Sequence, residues 1–270
     1  MEQELALLWT ALGSYVLAGT LAIVGIVLGR RPERWVLTLL CLGLALQSLS
    51  LGLRWVRLEH GPFVTMFEIL ASNVWSLTLI YTLAYWRQPA VRPAAAVVMP
   101  ILFLMMGWMI TTSPEAGHLP PTYHTIWLWF HVAFGKVFLG SVLVAVGLAG
   151  VILLRNLPRA ATRFANLPAS ARLEDLAWRF MALGLIFETL MLTVGALWAQ
   201  DAWGRYWDWD PLETWAFLTW LALAFGLHAR MAWNLSERIS AMLVLGVFVL
   251  AFLTFFGVPF VSTAPHQGAI

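Results

Sequence analysis

The residues best suited to hold a flat, metal-bearing ligand lie between positions 203 and 215. This segment, WGRYWDWDPLETW, contains four Trp, one Tyr and three carboxylates. An aromatic girdle at a membrane surface requires only scattered Trp and Tyr, so it explains about two of these rings. A dense shelf of rings near a histidine suits haem, because the rings pack on the macrocycle and neutral imidazole is a common ligand of haem iron.

The same segment contains a strong helix start, which gives it an alternative, structural interpretation. Asp210 suits the N-cap, Pro211 the first helical position and Glu213 the third. These residues can serve simply to begin the next helix. Helix initiation does not require the three Trp that precede them, and therefore we favour the ligand-binding interpretation.

Three of the six histidines are candidate iron ligands. We expect His131 near the outer end of a membrane span and His266 just beyond the last span, so the two can bracket the aromatic shelf. A histidine at a helix end is more often an interfacial or hydrogen-bonded residue, and that alternative stays open. Zinc is disfavoured because the chain has neither HExxH, HxxxH nor a second Cys.

His228 belongs to a different depth of the membrane. It follows Pro211 by 17 residues, or roughly 26 Å of helix, which is too far to share one iron with the aromatic segment. We expect no other histidine of this chain at that depth. A ligand opposite His228 must come from another subunit or from a weaker group. The alternative is a histidine that snorkels beside Arg230.

Composition predicts a single, all-α integral membrane domain over residues 1–270. The chain is 61% hydrophobic and 11% charged, with a mean hydropathy of +0.79. Its long apolar runs match a bilayer core of about 30 Å. The sole cysteine, Cys41, allows no disulfide and no CxxC pair. We expect no cleavable signal peptide, because Glu2 and Glu4 replace a basic start. The predicted eight spans run near 6–29, 35–53, 66–86, 94–111, 126–154, 174–199, 212–232 and 238–262.

Arginines predict the orientation. They are concentrated after the odd-numbered spans and sparse in the alternate loops, and Arg-rich loops stay cytoplasmic. Both termini and the Trp-rich segment are therefore expected on the extracytoplasmic face, in a bacterial inner membrane. The dispersed basic residues indicate no nucleic-acid partner; the bilayer is the expected environment.

Other charged residues have two interpretations each. The outer arginines, Arg54, Arg57 and Arg205, can bind haem propionates or form salt bridges with Glu59 or Asp208. Lys136 and Glu188 lie within spans, and we expect a buried ion pair between them. The alternative is a polar path through a transporter that performs no chemistry.

The Trp-rich segment and its surroundings resemble a known family. WGRYWDWDPLETWAFLTW is similar to the "WWD" signature of CcsA (ResC)-type cytochrome c assembly proteins, and further matching segments occur in the family's order. They are Leu53–Trp55 with Gly61–Glu68, Trp127–Val132, and Leu227–Arg230. The resemblance covers nearly the whole chain and implies an eight-span helical bundle.

The resemblance also implies a route for non-covalent haem b. In the family, haem moves from a transmembrane histidine to the aromatic segment, where two external histidines hold the iron. An apocytochrome c then presents CxxCH, and its thiols add to the haem vinyl groups. Carried over to this chain, His131 and His266 are the external ligands and His228 is the inner ligand. The haem-holding segment comprises Trp203, Gly204, Tyr206, Trp207, Trp209, Asp210, Pro211, Glu213 and Trp215. A CcsB (ResB)-like subunit is implied as membrane partner, in a haem lyase complex.

Two departures leave a second family function open. His266 lies in the context APHQG, unlike the Gly-Leu-His-Ser-Tyr-Gly-like context usual in the family. The chain is also short for a CcsA-type protein. Its length suits HemX-like proteins, which share the signature and are linked to haem synthesis or its regulation.

Overall fold

The computed structural model describes residues 1–30, 32–158, 164 and 167–261, and side chains through Pro259. All regular structure in these ranges is helical, which confirms the predicted all-α class. The long helices are α1 (Glu2–Val27), α2 (Glu33–Leu58), α3 (Met66–Arg87), α4 (Ala95–Ile110), α5 (Ile126–Arg155), α6 (Ser170–Trp203), α7 (Pro211–Ala232) and α8 (Glu237–Phe256). A short helix, α9 (Val258–Val261), follows, and 3-10 turns occupy Pro89–Ala94 and Pro121–Tyr123.

Seven of the described helices are long and apolar enough to cross a membrane: α1 to α6, with α4 extended by the preceding 3-10 turn, and α8. The helix α7 is long enough, but it does not meet the same combined limits of length, hydropathy and charge. The predicted spans nevertheless match eight long helices within several residues. The sides on which the termini lie remain predictions.

The helix α5 lies at the centre of the bundle and packs against α3, α4, α6 and α8. Every residue from 138 to 149 is buried, as expected for a helix that is apolar all round. Small residues allow its neighbours to approach. A Cβ at Gly140 would meet Ile80 of α3, and one at Gly147 would meet Val98 of α4. Such close backbone contacts are typical of membrane helices.

A buried cluster of charged residues joins the start of α1, the end of α2 and the start of α3. Arg54 of α2 donates to Glu68 of α3 at 2.9 Å and to Glu4 of α1 at 3.4 Å, and it also reaches the carbonyls of Pro114 and Glu115. Arg57 donates to Glu4 at 2.6 Å. The expectation that these arginines pair with Glu59 is therefore wrong. The carboxylate partners lie on neighbouring helices because the bundle brings those helices to one level.

The expected ion pair between Lys136 and Glu188 is also wrong. The Lys136 ammonium donates instead to Ser72 Oγ at 3.0 Å and to Asn73 Oδ1 at 3.1 Å on α3. Glu188 is completely buried, and neither of its carboxylate oxygens has a hydrogen-bond partner among the described residues. The two side chains lie on different helices, α5 and α6, and Lys136 is directed towards α3, not α6.

Candidate haem-binding cleft

The aromatic segment connects α6 to α7 and is fixed at both ends. Trp203 is the last residue of α6, and Gly204 ends that helix in the left-handed conformation, with φ of 74°. Trp203 thus belongs to a helix that extends four residues beyond the predicted end at 199. At the other end, Asp210 accepts a hydrogen bond from the Glu213 backbone at 2.8 Å, and Pro211 begins α7. This confirms the predicted helix start.

Hydrogen bonds within the segment shape the short connection at 204–210. Arg205 forms a 2.6 Å salt bridge with Asp208, as one of the two sequence interpretations predicted. The Glu213 carboxylate accepts from the Asp208 backbone at 2.8 Å. A capping box would direct this carboxylate to the N-cap backbone at Asp210, so here it reaches two residues further back. The connection is held by its own polar groups.

Trp209 has a conformation that is unusual for a bulky residue. Its φ is 58°, in the left-handed region, where non-glycine residues are uncommon and strained. Trp209 is 66% exposed, and its ring meets those of Trp207 and Phe217 edge-on, at centroid distances of 5.6 and 6.1 Å. An exposed ring held in a strained backbone is a feature typical of functional sites.

A cleft lies beside this segment, where α5, α6, α7 and α8 meet. We call it the outer cleft. Its cavity volume is about 190 Å³, and the cleft is partly open to the surroundings. Four of the predicted site residues line it: His131, Tyr206, Trp207 and Glu213.

The remaining predicted residues take other positions. Trp203 packs on Trp198, which lines the cleft, at 5.2 Å. Gly204, Asp210 and Pro211 shape the segment, and Trp209 extends the ring cluster; Trp215 lies on the first turns of α7, partly buried. His266 lies outside the described residues. His228 lies on α7 with its side chain exposed at the bundle surface, away from the outer cleft.

His131 is oriented by α6. Its Nδ1 lies 3.0 Å from the carbonyl oxygen of Met191. This hydrogen bond fixes the tautomer, and Nε2 is therefore the nitrogen that would coordinate a metal. The ring also packs on Trp198, with centroids 5.7 Å apart. A histidine held in this way is suited to bind a metal.

Gly195 makes this arrangement possible. A Cβ at this position would lie 2.8 Å from Nδ1 and 3.0 Å from Cε1 of His131. The imidazole therefore occupies the space that any side chain at 195 would need. Sequence reasoning missed Gly195, although a glycine inside an apolar helix is a signal of close approach.

Further cleft residues were also missed by sequence reasoning. They are apolar or small side chains, indistinguishable in sequence from ordinary core residues. From α6 they are Met191, Leu192, Ala196 and Trp198, and from α7 and α8 they are Leu212, Ala216, Thr254 and Phe255. Together they give the cleft apolar walls.

A second feature of the cleft, independent of His131, also fits haem. The indole N–H of Trp207 is buried and has no hydrogen-bond partner within the described part of the chain. A buried donor without an acceptor costs free energy, and a ligand oxygen would satisfy it. Apolar walls, a positioned imidazole and an unsatisfied donor match the macrocycle, iron and carboxylates of haem. The three outer arginines, in contrast, are occupied by carboxylates of this chain.

Fold and cleft together define an integral membrane helical bundle with an aromatic, histidine-bearing cleft at one end. Its family follows from comparison with known proteins. The profile of the family described as "Cytochrome C assembly protein" matches residues 35–266. The chain belongs to this family, which confirms the resemblance to CcsA-type proteins.

Individual relatives agree with this assignment. The cytochrome c biogenesis protein CcsA of Atropa belladonna is 28% identical over 246 residues, which cover 79% of this chain and 78% of that protein. CcsA of Prochlorococcus marinus is 29% identical over 261 residues, covering 87% and 82%. The solved structure of cytochrome c heme lyase CcmF matches with a TM-score of 0.74 at 19% identity. The match covers 94% of this chain but 46% of CcmF, so this chain spans less than half of that protein. The likeness to CcmF shows the fold.

Proposed function

We propose that this chain holds haem in the outer cleft and presents it, on the extracytoplasmic face, for covalent attachment to an apocytochrome c. The observation that carries the proposal is the placement of His131. Its Nδ1 is fixed by the Met191 carbonyl, and its ring lines the cleft that Trp207 also lines. Membership of the cytochrome c assembly family supports the same role.

The residues of this chain have distinct parts in that role. His131 would bind the iron, with His266 as the proposed opposite ligand. Trp207 would donate its indole N–H to the ligand, and Tyr206 would cover the cleft from the connecting segment. Bound haem supplies the vinyl groups to which the CxxCH thiols of the partner add. The chain itself positions haem and excludes water from its apolar face.

Replacement of His131 tests the haem site. The His131→Ala protein, purified in detergent, should lose the Soret band or regain it on addition of imidazole. His124→Ala is a matched control, because His124 lies at the same end of the bundle on an exposed turn outside the cleft. A native spectrum and undiminished haem content in His131→Ala would refute the assignment.

Deletion of the gene tests the pathway. Cytochrome c assembly predicts loss of covalently bound c-type haem, with total haem and its precursors unchanged. Changed precursor levels with normal c-type haem would instead indicate the HemX-like function. A colourless wild-type protein from haem-sufficient cells would favour the transporter interpretation.

We also propose that a second membrane protein, CcsB-like in kind, completes an inner site at His228. The exposure of His228 at the bundle surface supports this proposal, because a ligand from another chain can reach it there. Haem counted per complex, with and without the partner, should rise when the partner is present. His228→Ala should reduce the haem that reaches the cleft, and haem added from outside should still bind there. Full loading of the isolated chain, unaffected by His228→Ala, would refute this inner site.

A further inference from the structure

Two further chambers lie at the same end of the bundle as the outer cleft. The middle chamber, about 210 Å³, lies between α3, α5 and α6 and shares His131, Met191 and Trp198 with the outer cleft. The lateral chamber, about 350 Å³, lies between α2, α3 and α5 and shares Phe63, Ser72 and Lys136 with the middle chamber. The three spaces thus adjoin in series from the flank of the bundle to the aromatic segment.

The lateral chamber has flat aromatic walls. Trp55 and Trp129 stack with centroids 5.0 Å apart and an interplanar angle of 13°. Phe63 meets Trp129 edge-on at 4.9 Å. Trp55 is 44% exposed, and there is open space where a Cβ at Gly52 would lie. The chamber therefore reaches the surface of the bundle, and the helices that form it, α2, α3 and α5, are all candidate membrane spans.

Lys136 is the cation that lines both the lateral and the middle chamber. An ammonium has three donors, and two of them are used by Ser72 and Asn73. Within the described ranges, no carboxylate lies within salt-bridge distance of it. A charge inside a membrane bundle is costly and requires a partner. A carboxylate of a ligand would provide that partner.

We propose that the lateral and middle chambers form a binding site for a planar, apolar, carboxylate-bearing ring of the porphyrin class, with Lys136 binding the carboxylate. The stacked Trp rings match the plane of such a ligand, and Lys136 matches its charge. Lys136 follows His131 by five residues, or about 7.5 Å along α5. The carboxylate of the ligand would therefore lie at Lys136, further along α5 than His131 of the outer cleft. This inference rests on the proposed function and deepens it by adding a second position for the cargo, at the side of the bundle.

Metal-free protoporphyrin IX is the appropriate probe, because without iron its binding does not depend on histidine ligation. Its dimethyl ester, which lacks the carboxylates, is the matched comparison. We expect the wild-type protein in detergent to bind the diacid about tenfold more tightly than the ester, the effect of one charge-assisted hydrogen bond. Lys136→Met and Lys136→Gln should both abolish this difference, as measured by titration of porphyrin fluorescence. Lys136→Gln retains a hydrogen-bonding side chain, so it serves if the Met variant does not fold.

Control variants locate the probe. Trp129→Ala should weaken binding of both the diacid and the ester, because it removes part of the aromatic wall. Trp35→Ala changes an exposed ring at the start of α2 that lines none of the three chambers, and it should leave both affinities unchanged. The proposal is overturned by equal affinities in the wild type, by a preference that persists without Lys136, or by an equal loss of binding in Trp35→Ala and Trp129→Ala. Displacement of the diacid by oleate at equal concentration would also overturn it, in favour of an acyl carboxylate. Failure of haem binding at His131 would leave these outcomes unaffected.

Discussion

Replacement of Gly195 by Ala should disturb the imidazole of His131 without removing any polar group. The added Cβ would lie 2.8 Å from Nδ1, and ordinary contact begins at 3.4 Å, so the ring must move by about 0.6 Å. The neighbouring hydrogen bond to the Met191 carbonyl, now 3.0 Å, cannot keep its geometry. Loss of such an orienting contact typically lowers metal affinity about 10–100-fold. We expect a decrease of that size in haem affinity.

Haem titration of the purified protein, followed by Soret absorbance, measures this effect. The helix itself should not be weakened, because Ala favours a helix over Gly by up to about 1 kcal/mol. Gly184→Ala is a suitable control on the same helix, since its Cβ would meet Val142 and Phe138 at 3.3 and 3.7 Å, away from the cleft. Wild-type haem affinity and spectrum in Gly195→Ala would refute the idea that α6 positions His131.

Three further predictions concern stability. Asp210→Ala should lower the free energy of unfolding by about 1 kcal/mol through loss of the N-cap. Asp210→Asn can still cap the helix and should retain haem. Equal haem loss in both variants would show that the charge is needed. Glu188→Met should raise the free energy of unfolding in detergent by about 1–3 kcal/mol, because it removes a buried carboxyl that has no hydrogen-bond partner among the described residues. A decrease would reveal a partner. Arg54→Ala should cost about 3–5 kcal/mol by leaving buried carboxylates unpaired. Arg57→Ala should cost less, since its side chain is 36% exposed, and equal losses would contradict this account.

Local sequence patterns predicted the helices and the start of α7 because these depend on neighbouring residues. Long apolar runs gave the spans within several residues, and the spacing of Asp210, Pro211 and Glu213 predicted the cap that the structure contains. The end of α6 was placed too early because polarity rises at Gln200 and Asp201. The helix nevertheless continues until Gly204 can adopt a positive φ.

Partners across the bundle could not be predicted in the same way. Any buried charge has several possible neighbours, and only the packing of α5 on α3 decides that Lys136 meets Ser72 and Asn73. The same limit applies to Gly195 and Met191. The glycine signals a close approach, but which residue approaches it depends on the register between α5 and α6, for which the sequence contains no local signal. His131 was predicted because a polar ring at the end of an apolar span is conspicuous by itself.

Because both ends of the connection at 204–210 are fixed, the number of residues in it should not be changeable. Most loops accept insertions, because lengthening them costs little chain entropy. Here Gly204 closes one helix and Asp210 opens the next, and internal bonds from Arg205, Asp208 and Glu213 set the path between them. One extra residue would break at least one of these bonds and turn Trp207 away from the cleft. Libraries that vary loop length should therefore yield functional members elsewhere on the bundle surface, and almost none with an altered number of residues between α6 and α7.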